Sequence, residues 1–223
     1  MKTNEELQKD VQDAIKWEPL LHAAEIGVSV KDGVVTLSGT VDNFFKKTEA
    51  DNAAKGVAGV KAVVENIEVK YANGYSKSNN EIATEVLKAL NDEWSVPNDK
   101  VIVEVNNGWV TLSGDVHWNY QREAAKSAIN YLTGVKGVTN NIRIESEIKD
   151  AIEKADVEKA LSRHWSINSD DITVKAEGTT ITLTGSVTSL YQKEEAARIA
   201  WKTPGVWTVH NKLEVEYDYA LME

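Results

Sequence analysis

Four histidines, His22, His117, His164 and His210, and the acidic pairs Asp170-Asp171 and Glu194-Glu195 are the residues of this chain best suited to acid–base or metal chemistry. A metal or proton-transfer site needs such groups to converge from separate elements. The acidic pairs are adjacent in sequence, so their side chains diverge and read as solvated charge. With 0 cysteines the chain offers neither a thiolate nucleophile nor a disulfide framework. The strings Gly56 to Gly59 and Gly134 to Gly137 have the GxxG form of a phosphate-clamping loop. No Walker loop, dinucleotide fingerprint or nucleophile elbow is present. These observations predict a non-catalytic protein without cofactor or metal.

The elements that would have to position any site are set by an internal repeat. Residues Gly33 to Gly39 read GVVTLSG, and Gly108 to Gly114 read GWVTLSG, 75 residues later; ITLTG ends at Gly185, a further 71 residues on. From these anchors a Gly-Val pair falls 20 residues downstream every time, at Gly59, Gly134 and Gly205, and Val11, Val86 and Val157 stand 28 residues upstream. Three ungapped copies therefore fill most of the chain. In that register the four histidines occupy unrelated columns, and the two GxxG strings also fall in different columns.

Each copy carries the same periodicities. Leu7, Val11, Ala14 and Ile15, like Ile82, Val86, Ala89 and Leu90, mark one face of a helix, and Ser78 with Glu81 forms a capping box. Period-two alternation follows at Ile26/Val28/Val30, Val101/Val103/Val105 and Ile172/Val174/Ala176. Asp32-Gly33 and Asn107-Gly108 suit tight hairpin turns. An alanine-rich helix, its end placed at the Gly-Val pair, and a last strand complete an αββαβ order. The expectation is an α+β protein of three tandem αββαβ modules, at 1–75, 76–147 and 148–223, each a three-stranded mixed sheet with two helices on one face. Gly39, Gly59, Gly114, Gly134, Gly185 and Gly205 are read as structural glycines.

With its Val-x-Leu-x-Gly-x-Val hairpin end, quoted as Val35 to Val41, Val110 to Val116 and (with Ile first) Ile181 to Val187, and its closing Gly-Val-x-x-Val-x-x-x-Ile/Leu-x-Val/Ile strand, the unit resembles the BON domain, named for bacterial osmotically inducible and nodulation proteins. The resemblance implies a bacterial, transport-associated binding protein linked to osmotic or envelope stress, with a phospholipid membrane surface or a protein as partner. It also implies an alternative, a cytoplasmic sensor of potassium or another cation such as calcium.

Net charge of −10 argues against nucleic acid as a partner. Acidic residues through the first 21 positions argue against a signal peptide there, so a soluble cytoplasmic protein is expected as the sequence stands, or a periplasmic one had a signal been removed. Two further columns repeat early in the second helix: an aromatic at Phe45, Tyr120 and Tyr191, and a base at Lys47, Arg122 and Lys193. With Trp118 they are the candidate lipid or partner contacts, an aromatic meeting a headgroup layer beside a cation; packing over a sheet edge is the alternative. Trp94 and Trp165 share a column after the first helix and are expected in the core. Trp109, Trp118, Trp201 and Trp207 are unshared and suit contacts between modules. Modules two and three are expected to form the closer pair, with the clearest linker at Tyr71 to Asn80. Limited proteolysis is predicted to cut first in that linker; initial cleavage within Val101 to Val116 would contradict the repeat assignment.

Overall fold

The computed structural model describes residues 2–21, 26–71, 77–97, 99–145 and 152–216. Module one comprises α1 (Asn4–Trp17), β1 (Ile26–Lys31), β2 (Val34–Val41), α2 (Phe44–Gly56) and β3 (Ala62–Val69); module two comprises α3 (Asn79–Asp92), β4 (Val101–Asn106), β5 (Trp109–Val116), α4 (Asn119–Ile129) and β6 (Gly137–Ile144). Module three comprises α5 (Lys154–Ser162), a 3-10 turn at Ser169–Asp171, β7 (Ile172–Glu177), β8 (Thr180–Val187), α6 (Leu190–Ala200) and β9 (Thr208–Val215). The αββαβ order therefore holds three times.

Local chemistry explains the boundaries. Thr3 and Glu6, like Ser78 and Glu81, form reciprocal capping boxes at the starts of α1 and α3. Glu153 makes no such bond at the start of α5, which begins at Lys154. Asp32-Gly33 and Asn107-Gly108 have successive positive φ values of 52° and 82°, and of 51° and 86°. That conformation matches the right-handed twist of the flanking strands.

In each sheet the hairpin's return strand is central, in the orders β1-β2-β3, β4-β5-β6 and β7-β8-β9. The hairpins are antiparallel, whereas β5 with β6 and β8 with β9 pair in parallel across a helical crossover. The sheets are therefore mixed. Alternate residues of the central strand, Val110, Leu112 and Val116 in module two, are buried, as are Ile82, Val86 and Leu90 of α3 and Ala125 and Ile129 of α4. Alanine permits α4 to lie close to the sheet.

The anchor glycine has a definite backbone role. Gly114 pairs with Val101 at the start of β4, has φ 129°, and a Cβ on it would lie 2.0 Å from the Lys100 carbonyl oxygen. Gly185 repeats this at φ 118° and 2.0 Å from the Asp171 carbonyl oxygen, and Gly39 has φ 131° opposite Ile26. The second glycine column differs from its expected role as a helix terminus. α4 ends at Ile129 with Asn130 as its cap, and Gly134, at φ 101°, shapes the later turn into β6.

The chain divides into two compact units, one of residues 1–40, 48–67 and 150–223, the other of 41–47 and 68–149. The third module thus shares a unit with most of the first, which corrects the expectation that modules two and three pair more closely. Within that unit Gly59 N donates to the Thr188 carbonyl at 3.2 Å, and Lys55 Nζ meets Glu194 Oε1 at 2.7 Å. Residues 72–76 of the expected linker lie outside the described residues.

Gly114→Ala is predicted to destabilise module two by about 3 kcal/mol or more, since a backbone carbonyl must shift and φ is left-handed. Gly56→Ala, where a Cβ meets nothing within 4 Å, is predicted to stabilise by about 0.5–1 kcal/mol. Urea denaturation followed by far-UV circular dichroism checks both signs.

Candidate functional site

The recurrent aromatic and basic columns lie in the first turn and a half of α2, α4 and α6, and the structure gives their members different surroundings. Phe45 stacks on Tyr131, with ring centroids 4.4 Å apart and planes at 27°. Tyr120 and Tyr191 are 56% and 46% exposed. Among the bases, Lys47 Nζ lies 5.8 Å from the Trp109 ring centroid, and Arg122 Nε lies 3.4 Å from Glu123 Oε1. Lys193 is half-buried. Trp118 is also half-buried and caps α4 through its backbone: the N–H groups of His117 and Trp118 both donate to Gln121 Oε1 at 3.0 Å. The columns thus recur without composing one common pocket.

Part of this repetition holds the fold together. Asn140 Nδ2 donates to the Arg122 carbonyl at 2.8 Å, and Asn211 Nδ2 donates to the Lys193 carbonyl at 2.6 Å. Their Oδ1 atoms accept from Ile142 N and Leu213 N, and Glu65 accepts likewise from Ile67 N. The column Glu65, Asn140, Asn211 was visible in the aligned copies as a polar position among apolar ones, a strand-to-helix tie the apolar pattern did not reveal.

The tryptophans correct the sequence reading most sharply. Trp94 and Trp165, expected in the core, are 89% and 92% exposed, and Trp17 at the end of α1 is 87% exposed. Trp17 stands two residues past the buried Ile15, about 200° round the helix, and Trp94 lies beyond the last turn of α3. Each module therefore presents one bare indole beside the end of its first helix. Of the unshared tryptophans, Trp201 packs on the core of its own module, whereas Trp109 covers Gly137 and meets Lys47 of module one.

The first unit also holds an open cleft of about 730 Å³ between α1, α2 and α6, walled by Trp17, Tyr191 and Arg198 and edged by Asp13, Glu18 and Glu49. Below its rim the buried Glu195 accepts hydrogen bonds from Arg198 Nε at 2.6 Å and from Arg198 Nη2, and lies 2.9 Å from His164 Nε2. His164 Nδ1 is 2.9 Å from Ser166 Oγ. The connectivity resembles a hydroxyl–imidazole–carboxylate relay, but the Arg198 fork engages both carboxylate oxygens, so Glu195 works as the fixed partner of a cation. The columns of His164, Glu195 and Arg198 hold Glu18, Glu49 and Asn52 in module one and Glu93, Ala124 and Ser127 in module two. The trio ties α6 to the loop after α5 in module three alone. His117 Nδ1 meets the Glu145 carbonyl, His210 is exposed, and His22 lies outside the described residues. Among the described residues, no three His, Asp or Glu side chains form a metal-ligand group.

The chain belongs to the BON domain family: the family model matches residues 3–71, 78–146 and 149–217, one match per module. Over 128 residues it is 34% identical to osmotically-inducible protein Y of Escherichia coli (strain K12), covering 55% of this chain and 63% of that protein's length. Among solved structures it is similar to CdsD, a structural protein of the type III secretion system of Chlamydia trachomatis, with 17% identity, coverage of 95% and 92% of the two chains, and a TM-score of 0.25. The C-terminal domain of CdsD matches with 18% identity, coverage of 97% and 100%, and a TM-score of 0.26.

The Arg198 hydrogen bonds hold the Glu195 carboxyl below its ordinary value of 4.5 against the opposing effect of burial. A depressed native pKa stabilises the fold above the unfolded value and ceases to do so as pH falls through the native one. Glu195→Gln is therefore predicted to cost about 1–3 kcal/mol at neutral pH and to flatten the acid limb of the pH–stability profile. An acid limb as steep as the parent's would contradict the assignment.

Proposed function

We propose that this BON-family chain is a non-catalytic binding protein linked to osmotic or envelope stress, whose modules associate with phospholipid surfaces through the bare indoles at the ends of their first helices. The observation that carries the reading is the exposure of Trp17, Trp94 and Trp165 at 87%, 89% and 92%. An indole pairs a large apolar face with one N–H donor, which suits the layer between headgroups and acyl chains. Withdrawing each from water is worth a few kcal/mol before ordering costs. Among the described residues no helix is long and apolar enough to cross a membrane, so the contact proposed is peripheral. Three weak contacts on one chain gain through effective concentration. The stress linkage draws on the printed name of the Escherichia coli relative.

The net charge of −10 opposes approach to anionic lipid, an opposition that salt screens. Co-sedimentation with phosphatidylethanolamine–phosphatidylglycerol vesicles is thus predicted to show binding that persists or improves as salt rises. It should weaken at least tenfold in the Trp17→Ala, Trp94→Ala, Trp165→Ala variant, and less in Tyr120→Ala, Tyr191→Ala. Unchanged binding by the tryptophan variant would refute the indole contact. Absence of vesicle binding, with a melting temperature raised by potassium over sodium, would replace lipid by a cation.

A further inference from the structure

The cleft between α1, α2 and α6 has a charge balance that its own residues do not close. Of the bases on its walls, Lys55 is held by Asp51 at 2.9 Å and by Glu194 at 2.7 Å, and Arg198 is held by Glu195. Both cations are therefore engaged within the protein. Glu18 and Glu49, half-buried on the same walls, have no ion pair among the described residues; Glu49 accepts from Asn52 Nδ2 at 3.4 Å. Asp13 meets the exposed Lys16 at 3.6 Å. Half-buried carboxylates without counter-charge favour a cation supplied from outside.

Module three shows the same positions with cations in place. Glu18, Glu49 and Asn52 stand 146 positions before His164, Glu195 and Arg198, which is the spacing from Gly39 to Gly185. The Glu195 carboxylate lies 2.9 Å from the His164 ring and is clasped by the Arg198 guanidinium. Module one keeps that carboxylate column but has a second carboxylate in place of the histidine and an amide in place of the arginine. Columns that carry two bases in one module thus carry only acid and amide in the other.

The remaining walls specify the kind of cation. Trp17 and Tyr191 line the cleft, and aromatic faces attract cations while packing against their carbon groups. Ala14, Ala53 and Gly56 add little bulk, and a Cβ on Gly56 would meet nothing within 4 Å, which leaves about 730 Å³ open. A bare metal ion has no use for two rings, and among the described residues no three His, Asp or Glu side chains form a metal-ligand group. We propose that this cleft binds an organic ammonium ion, its nitrogen held by Glu18 and Glu49 and its carbon groups lying against Trp17 and Tyr191. The site does not rest on the membrane reading, although Trp17 takes part in both. Module two has Glu93, Ala124 and Ser127 in the three columns, so one site per chain is expected. The ammonium is that of a free amine or of a lipid ethanolamine headgroup.

Calorimetric titration of the intact chain with n-butylammonium chloride, in a constant sodium chloride background, is expected to show one saturable site. Affinity should fall about tenfold or more in Glu18→Gln, Glu49→Gln and in Tyr191→Ala, but not in Glu93→Gln. The glutamine variant keeps all three exposed indoles and is expected to retain the parent's far-UV circular dichroism. Vesicles of phosphatidylethanolamine with phosphatidylglycerol, compared with phosphatidylglycerol alone, separate the two sources: an ethanolamine preference lost in the glutamine variant assigns the headgroup, and equal binding assigns a free amine. Absence of a saturable butylammonium site, retention of that site by the folded glutamine variant, or equal displacement by potassium would overturn the proposal. Vesicle binding that fails while butylammonium still binds bears on the membrane reading alone.

Discussion

The close approach of two backbones at the anchor glycine is the constraint on which the module depends. Where Gly114 pairs with Val101, the Lys100 carbonyl occupies the space a side chain would need. Here the segment entering the hairpin crosses the strand leaving it, and the left-handed φ of the glycine accommodates the crossing. Only with the hairpin closed at this point does the central strand run on to Val116 and deliver α4 onto the sheet face where α3 already lies. The parallel partner β6 then completes a core of Val110, Leu112, Ile129 and Ile142. Modules one and three repeat the glycine and its φ, so three separate sheets arise from one local device.

What the modules share holds each one together, and what they do not share gives each its own contacts. The asparagine tie from last strand to second helix recurs, as do the turn glycines. By contrast, the buried Glu195 with Arg198 and His164 belongs to module three, and the Phe45–Tyr131 stack joins residues of the first and second modules. Such differences are affordable because a module of this size rests on few apolar side chains, leaving its helix surfaces free to diverge.

Periodicity and glycine spacing made most of the fold legible in the sequence. The helix stripes, period-two strands and positive-φ turns are local properties that survive whatever surrounds them. The Ser78–Glu81 capping box was equally readable from its spacing. The fate of side chains beyond an element's end was not. Trp94 and Trp165 share a column, which suggested packing, yet burial depends on whether a neighbouring element covers that position, and among the described residues none does. The grouping of module three with module one was hidden for the same reason: Lys55 and Glu194 read as ordinary helix charges until the fold brings them to 2.7 Å. The candidate contacts at the helix starts were found as columns, but only the structure separates the exposed Tyr120 from Phe45, whose ring is already stacked.

Native-state hydrogen exchange on the intact chain tests most directly the claim that one backbone device builds three separate cores. The slowest amides should form three sets of similar protection, centred on β2, β5 and β8, each including the partners of Gly39, Gly114 or Gly185. Protection gathered into a single set, with the hairpin of any one module exchanging freely, would contradict it.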